Sequence, residues 1–181
     1  GQMLNVHDIA QDVGVSDDTA KRWLAVLEKS AIIFYLRPYS NNLLKRTVKT
    51  PKMYFFDTGI VAYLTKYSSP EILMNGAING AILENYIVAE IRKTYLNSAK
   101  DCLIHYYRDK ECNEIDMVFE SDGELHPLEI KKSTNPGTEL VGAFKILDKA
   151  SVPRGTGAIV CLREEFSAID RQHLILPVWM I

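Results

Sequence analysis

The chain has 181 residues, of which 47% are hydrophobic and 24% are charged, a composition typical of globular rather than disordered proteins. Its formal net charge of -2 excludes a protein that coats nucleic acid through bulk positive charge, so any such contact must come from a local patch. No apolar run reaches the length of a membrane span and no signal-peptide pattern is present, so the chain is expected to stay out of membranes.

The three cysteines, Cys102, Cys112 and Cys161, are an odd number and lack the spacing of a zinc knuckle. This pattern disfavours a disulfide framework and predicts a reducing, cytoplasmic location. The four histidines are scattered without the spacing of metal ligands. Because an initial glycine before Gln2 and Met3 is typical of a cloning junction, the sequence is interpreted as a fragment of a longer protein.

Residues 1–58 have the pattern of a winged-helix-like segment. Asn5 and Ser16 are N-cap residues for two successive helices, which a tight turn at Gly14 separates. The buried face of the second helix is predicted from apolar residues at helical spacing, namely Ala20, Trp23, Leu24 and Leu27. The segment therefore begins as helix, turn, helix.

Two apolar strands follow at residues 31–36 and 52–56, with a polar loop between them whose basic residues are Lys45, Arg46 and Lys49. In a DNA-reading winged helix, the start of the second helix faces the base edges. Here that position carries two carboxylates, Asp17 and Asp18, next to Lys21 and Arg22. A packing or hinge module is therefore the favoured interpretation, and contact of the segment with DNA stays an alternative.

A connecting helix and loop are predicted over residues 59–76, where Asp57 caps the helix and Ser68-Ser69-Pro70 breaks the chain. The C-terminal domain is predicted over residues 77–181 and begins with a long helix that ends near Tyr95. Its buried face is predicted from Leu83, Ile87, Ile91 and Tyr95, and Glu84 lies at the edge of that face. Taken alone, Glu84 would be interpreted as a surface acid whose stem packs on the core.

Three strands at residues 102–107, 115–120 and 125–131 are predicted to form an antiparallel meander. Because side chains alternate along a strand, Ile115, Met117 and Phe119 are expected on one face of the second strand and Asp116 on the opposite face. In the third strand, Glu129 and Lys131 share a face. Asp116 and Glu129 are therefore expected on adjacent strands, next to the helix that carries Glu84.

The remaining elements are predicted as a helix at residues 139–150, a buried strand at 157–162 and a final strand at 174–181 that Pro177 interrupts. The helix carries Leu140, Phe144 and Leu147 at helical spacing. Together with the long helix and the meander, these elements predict one α/β layer fold.

The carboxylates Glu84, Asp116 and Glu129 predict a metal site. Three carboxylates that converge in a partly dry site repel one another, and a bound divalent cation would neutralise them. Oxygen-only ligands favour Mg²⁺ or Mn²⁺ over zinc. Lys131 is expected beside the attacking water and the scissile phosphate, where its charge would assist hydrolysis. Glu129 and Lys131 alone would also be explained as an ion pair on a solvated strand face.

These motifs, at residues 54–59, 81–90, 107–116 and 127–131, resemble in their order the C-terminal region of a large family of prokaryotic AAA-type ATPases. That region is described as a domain of unknown function with a PD-(D/E)xK nuclease-like fold, joined to a winged-helix part. The resemblance implies an α/β fold in which a PD-(D/E)xK restriction-endonuclease-like domain follows a winged-helix-like domain.

By motif, the resemblance implies a catalytic set of Glu84, Asp116, Glu129 and Lys131, the three acids being ligands of Mg²⁺ or Mn²⁺. The proline that names the second motif is absent before Asp116. Glu114 stands nearby and remains open as a fourth acid or as the alternative to Asp116.

No glycine-rich phosphate loop ending in Lys-Ser or Lys-Thr occurs, so the ATPase module is expected elsewhere on the full-length chain. The leading hypothesis is a nuclease-like domain that binds Mg²⁺ and hydrolyses DNA phosphodiester bonds. The first alternative is a catalytically inactive nuclease-like fold that serves the ATPase as a DNA- or protein-binding regulatory module. The second is a winged-helix DNA-binding regulator, which the weakly acidic chain disfavours. DNA and a second copy of this chain stay open as partners.

Overall fold

The computed structural model describes residues 1–40 and 48–181. Helix α1 (Val6–Val13) begins at Asn5, whose side chain accepts hydrogen bonds from first-turn amides, and ends at Gly14 in the left-handed conformation at φ 74°. Helix α2 (Asp17–Lys29) begins at Ser16, whose hydroxyl accepts a hydrogen bond from a first-turn amide. Both predicted caps are confirmed.

The buried face of α2 is narrower than predicted. Ala20 and Leu24 are buried and Leu27 is partly buried, whereas the Trp23 side chain is 53% exposed. The prediction was therefore wrong for Trp23. Ala20 and Leu24 lie four positions apart on one row of the helix, and this row alone is buried against the neighbouring elements.

A three-stranded antiparallel sheet combines β1 (Gln2–Met3), which precedes α1, with β2 (Ile33–Leu36) and β3 (Lys52–Phe55), which follow α2; the strand order is β1-β3-β2. The two apolar strands predicted from the sequence are confirmed as β2 and β3. Strand β1 was not predicted because two residues are too few to show an alternating pattern. Lys45 and Arg46 of the predicted basic loop lie outside the described residues.

Three helices connect this sheet to the rest of the chain: α3 (Thr58–Leu64), α4 (Pro70–Asn75) and α5 (Asn79–Asn97). Asp57 caps α3 as predicted, through its carboxylate and the Gly59 amide. The short helix α4 was missed, because Pro70 was interpreted only as a break although proline is favourable in the first turn of a helix. In the ranges that the structure covers, no helix is long and apolar enough to cross a membrane.

A six-stranded mixed sheet forms the second framework, in the order β4-β5-β6-β7-β9-β8. Its strands are β4 (Ile104–Arg108), β5 (Glu114–Ser121), β6 (Glu124–Lys131), β7 (Gly157–Cys161), β8 (Ser167–Ala168) and β9 (His173–Pro177). The predicted antiparallel meander is confirmed as β4-β5-β6, and β7 then joins β6 and β9 in parallel. The fold is therefore a mixed α/β fold, as the sequence predicted at that level.

The two segments predicted last differ from the structure in their type. Thr138–Lys149 is a 3-10 helix, in which Phe144 and Leu147 are buried as the apolar spacing predicted. The final strand stops at Pro177, and Val178–Met180 forms a 3-10 turn. Proline has no amide hydrogen with which to continue a strand ladder, which explains the earlier end.

One hydrophobic core joins the two sheets beneath α5. Its buried members come from the small sheet, from α5 and from the large sheet, and they include Phe34, Leu36, Tyr54, Ile87, Val88, Tyr106, Met117, Leu128 and Ile130. Arg92 of α5 also lies over the Phe34 ring, at 4.9 Å from its centroid. Because this core crosses the predicted boundary at residue 58, the N-terminal segment and the large sheet are packed as one body.

The β4–β5 pairing is irregular next to the predicted site. His105 pairs with Val118, and Tyr107 pairs with Ile115. Two steps along β4 therefore correspond to three steps along β5. As a result Ile115 packs under the 3-10 helix while Met117 packs beneath α5, and the prediction that they share a face was wrong. An extra residue in a strand redirects its neighbours, and Asp116 lies in this stretch.

Candidate functional site

Glu84 on α5 is held by two side chains of β3. The Tyr54 hydroxyl donates to Glu84 Oε1 at 2.6 Å, and Lys52 Nζ donates to the same oxygen at 3.2 Å. Burial opposes ionisation of Glu84, whereas the Lys52 ammonium and the hydrogen bond from Tyr54 favour it, and the pKa of the carboxyl is lowered. Burial and the neighbouring Glu84 raise the pKa of Tyr54, so its phenol remains a hydrogen-bond donor.

Lys52 lies at the centre of the acidic side chains and is only 3% exposed. Its Nζ is 2.6 Å from Glu114 Oε1 and 3.9 Å from Asp116 Oδ1, in addition to the contact with Glu84. It also lies 5.4 Å from the centroid of the Tyr106 ring. Burial acts to lower the pKa of Lys52, but the surrounding carboxylates outweigh it and raise that pKa, so the side chain is charged.

Asp116 on β5 is the most strongly perturbed acid of the site. Its Oδ2 accepts a hydrogen bond from the Ile130 amide at 2.9 Å, which fixes the carboxylate against β6. Burial, together with the charges of Glu129 and Glu84, raises the pKa of Asp116 to about 7. The favourable contributions of Lys52 and the Ile130 amide are smaller, so Asp116 experiences a net excess of negative charge.

Glu129 and Lys131 on β6 form an ion pair, with Lys131 Nζ 2.8 Å from Glu129 Oε1. The Glu129 side chain is 11% exposed and the Lys131 side chain 40%, so the pair spans the boundary between core and solvent. Glu129 Oε2 is buried and has no hydrogen-bond partner among residues 1–40 and 48–181. Burial acts to lower the pKa of Lys131, but the neighbouring carboxylates, Glu129 first, outweigh it and raise that pKa.

The structure thus brings the four predicted residues close enough to interact electrostatically, but it does not arrange the three acids around one metal position. Glu84 and Asp116 are drawn together by Lys52, while Glu129 turns one oxygen to Lys131. Across residues 1–40 and 48–181, no three His, Cys, Asp or Glu side chains are grouped so as to hold a metal ion. The shared cation therefore stays a prediction.

Glu114, the alternative to Asp116, has a different environment. One of its carboxylate oxygens is bound to Lys52, and the other lies 2.8 Å from Arg108 Nη1. Both of its oxygens are therefore neutralised by cations of the chain, whereas the acids around Asp116 repel its charge. Of the two residues, Asp116 has the greater need of an additional cation.

In donor type the predicted ligands suit Mg²⁺ or Mn²⁺, although the described residues do not group three of them around one ion position. All candidate ligands are carboxylate oxygens. Glu129 Oε2 is a buried acceptor with no hydrogen-bond partner among the residues that the structure describes, and burial together with the neighbouring acids raises the pKa of Asp116. A divalent cation near Asp116 would offset the repulsion from the neighbouring acids. Glu84, Asp116 and Glu129 are the residues that would hold it.

The sequence interpretation missed the contributions of Lys52 and Tyr54 to this site. Alternation in β3 places both residues on one face, and a lysine within an otherwise apolar strand was the available signal. Their partner Glu84 lies about thirty positions away in the chain, so the contact depends on how β3 docks against α5.

Asn85, the neighbour of Glu84, fixes that docking. Its side chain accepts from the Phe55 amide at 2.9 Å and donates to the Phe55 carbonyl at 2.7 Å. We expect Asn85→Ala to lower the free energy of unfolding by about 2–3 kcal/mol, because two backbone groups of β3 lose their partner in a buried position. Urea denaturation measures this, with the exposed Asn75→Ala as the matched control. Equal small effects of the two substitutions would contradict it.

Comparison with known protein families gives two matches along the chain. Residues 1–71 match the family described as domain of unknown function DUF8612, and residues 79–181 match the family described as domain of unknown function DUF4143. Lys52 lies in the first match, and the second contains all four predicted site residues.

Two curated relatives are similar to this chain: Uncharacterized protein Rv2008c of Mycobacterium tuberculosis and Uncharacterized protein Mb2031c of Mycobacterium bovis. Each is 26% identical over 136 residues, which is 75% of this chain and 30% of the relative. The chain therefore spans less than a third of the length of these relatives. Because the match to DUF4143 covers more than half of the chain, the chain belongs to the DUF4143 family.

Proposed function

We propose that the C-terminal part of this chain is a PD-(D/E)xK nuclease-like domain that binds Mg²⁺ or Mn²⁺ and hydrolyses phosphodiester bonds of DNA. The observation that carries the proposal is the environment of Asp116, whose pKa is raised to about 7 by burial and by two further acids of the same set. Strongly perturbed acids that share a partly buried site are typical of functional positions. The sequence motifs name the same three acids, together with Lys131.

In this proposal the residues have separate roles. Glu84, Asp116 and Glu129 hold the cation, which supplies charge neutralisation and activates water when bound. The Ile130 amide orients the Asp116 carboxylate through its hydrogen bond. Lys131, whose pKa is raised and whose side chain is partly exposed, remains an ammonium that donates a hydrogen bond to a phosphate oxygen as negative charge develops there.

We further propose that the N-terminal segment is a winged-helix-like packing module and that the full-length protein is an AAA-type ATPase. Support for the first comes from the order of α1, α2, β2 and β3 and from the core that the segment shares with α5. The second is supported by the motif resemblance and by curated relatives more than three times as long as the matched part. Contact of this N-terminal segment with DNA is disfavoured, because two acids, Asp17 and Asp18, lie in the first turn of α2.

A second candidate function is a regulatory platform with an inactive nuclease-like fold. It is favoured by the ion pairs that already neutralise part of the acid set, in particular Lys52 with Glu84 and Lys131 with Glu129. In that case Lys52 stabilises the contact of the N-terminal segment with α5 and β5 through Glu84 and Glu114, and Lys131 neutralises Glu129 within β6. The two candidates differ in whether a divalent cation binds.

The proposal is tested with the purified chain of 181 residues. We expect cleavage of plasmid and linear DNA in the presence of Mg²⁺ or Mn²⁺ and complete loss of cleavage in excess chelator, because the three carboxylates cannot activate water alone. Isothermal titration calorimetry measures cation binding in parallel. Absence of both binding and cleavage under these conditions would contradict the nuclease proposal and leave the platform.

A further inference from the structure

We propose that Lys52 is an internal counter-ion of the acidic site and that a divalent cation must displace its ammonium from Glu84 and Asp116 in order to bind. The inference rests on the cation site of the proposed function. In addition, the Lys52 ammonium, which belongs to the N-terminal sheet, competes with the divalent cation for the carboxylates of the site.

The position of Lys52 is the first argument. Its Nζ contacts Glu84 at 3.2 Å and Asp116 at 3.9 Å, which are two of the three proposed ligands. With only 3% of the residue exposed, this ammonium is enclosed by protein rather than loosely paired at the surface. Glu129 Oε2, the buried acceptor without a partner, indicates that the ammonium leaves the acid set incompletely satisfied.

The Lys52 ammonium and a divalent cation would compete for the same two carboxylates. Mg²⁺ binds oxygen at about 2.0–2.1 Å and prefers a near-octahedral shell, whereas Glu84 Oε1 already accepts from both Lys52 and Tyr54. A second positive charge within a few ångströms of the Lys52 ammonium would also be repelled strongly in a partly dry site. Binding of the cation therefore has to move Lys52 away from Glu84 and Asp116.

The structure provides a place for the displaced ammonium. Glu114 lies 2.6 Å from Lys52 Nζ and is outside the proposed ligand set, and the Tyr106 ring is next to the same group. The flexible four-carbon stem of lysine allows Nζ to keep Glu114 while it leaves the other two acids. Strand β3 need not unfold, so the change is a shift of one side chain between two sets of partners.

The test compares cation affinity in Lys52→Gln and Lys52→Met with the wild type and with Lys49→Met, an exposed lysine that precedes β3. We expect both Lys52 variants to bind Mn²⁺ on the order of tenfold more tightly than the wild type, a size typical of the coupling between two groups that compete for one site. Lys49→Met should bind Mn²⁺ as the wild type does. Calorimetry gives the affinities. Thermal melts establish that each variant is folded.

A wild-type measurement makes the test independent of how the variants fold. In ¹H–¹⁵N spectra of the lysine ammonium groups, titration with Mg²⁺ should shift the Lys52 signal and leave that of Lys49 unchanged. Cation binding by the wild type with no shift at Lys52 and no gain in the variants would overturn the inference and keep the proposed function. Failure of the wild type and of every folded variant to bind a cation would overturn both. Binding by the Lys52 variants alone would support the competition.

Discussion

Lys131→Ala is expected to reduce the rate of DNA cleavage by roughly 10²–10³-fold while leaving the fold and most of the cation affinity intact, the effect typical of removing one donor to developing charge. An ammonium is not a metal ligand, so its loss leaves the three carboxylates in place. Asp116→Ala should instead lose cation binding and cleavage together. Single-turnover cleavage and calorimetry on both variants separate the two effects.

Lys132→Ala is the matched control for Lys131→Ala, because Lys132 is the next residue of the chain, is exposed, and bonds to the Met74 carbonyl outside the site. We expect it to cleave DNA at the wild-type rate. If the domain is a platform, Lys131→Ala acts through stability, since Glu129 then loses its ion-pair partner in a nearly buried position. A lower melting temperature without any change in cleavage would therefore support the platform.

The elements that carry the site could be predicted because their signals are local. The caps at Asn5, Ser16 and Asp57 are read from single residues and their immediate neighbours, and the structure confirms all three. The alternating pattern similarly predicts β5 and β6 with their antiparallel pairing, which brings Asp116 next to the backbone of Ile130. In each case the information lies within one turn of helix or one hairpin.

The features that the sequence did not predict depend on packing between distant parts of the chain. The extra residue in β5 redirects Met117 relative to Ile115, and a regular period-two pattern cannot indicate where such an irregularity falls. Likewise, Lys52 enters the site only because β3 docks on α5 and β4. A lysine in a short strand is equally compatible with a solvated edge.

The stability of the chain in excess chelator should fall with rising pH through the titration of Asp116, and Asp116→Asn should remove this dependence. The pKa of Asp116 is raised from 3.8 to about 7 in the folded protein, so the folded state keeps its proton in a range where the unfolded state has lost it. Such a group stabilises the fold below its unfolded pKa, and this contribution disappears as the pH passes the folded value. Glu84 acts in the opposite direction because its pKa is lowered, but its contribution changes only in more acidic solution.

The difference in unfolding free energy between Asp116→Asn and the wild type reports on Asp116 and the groups that interact with it, because titrating residues outside this set, such as His105, contribute equally to both proteins. We expect that difference to change by about 2 kcal/mol in favour of the variant between about pH 5.5 and 8, as linkage predicts for a group with this shift. Asparagine can still accept the Ile130 hydrogen bond and has no charge to be repelled by Glu129 and Glu84. Urea denaturation at several pH values measures the change. A difference that stays constant over this range would show that neither burial nor the acids around Asp116 raise its pKa, and the main support for a cation site would then be lost.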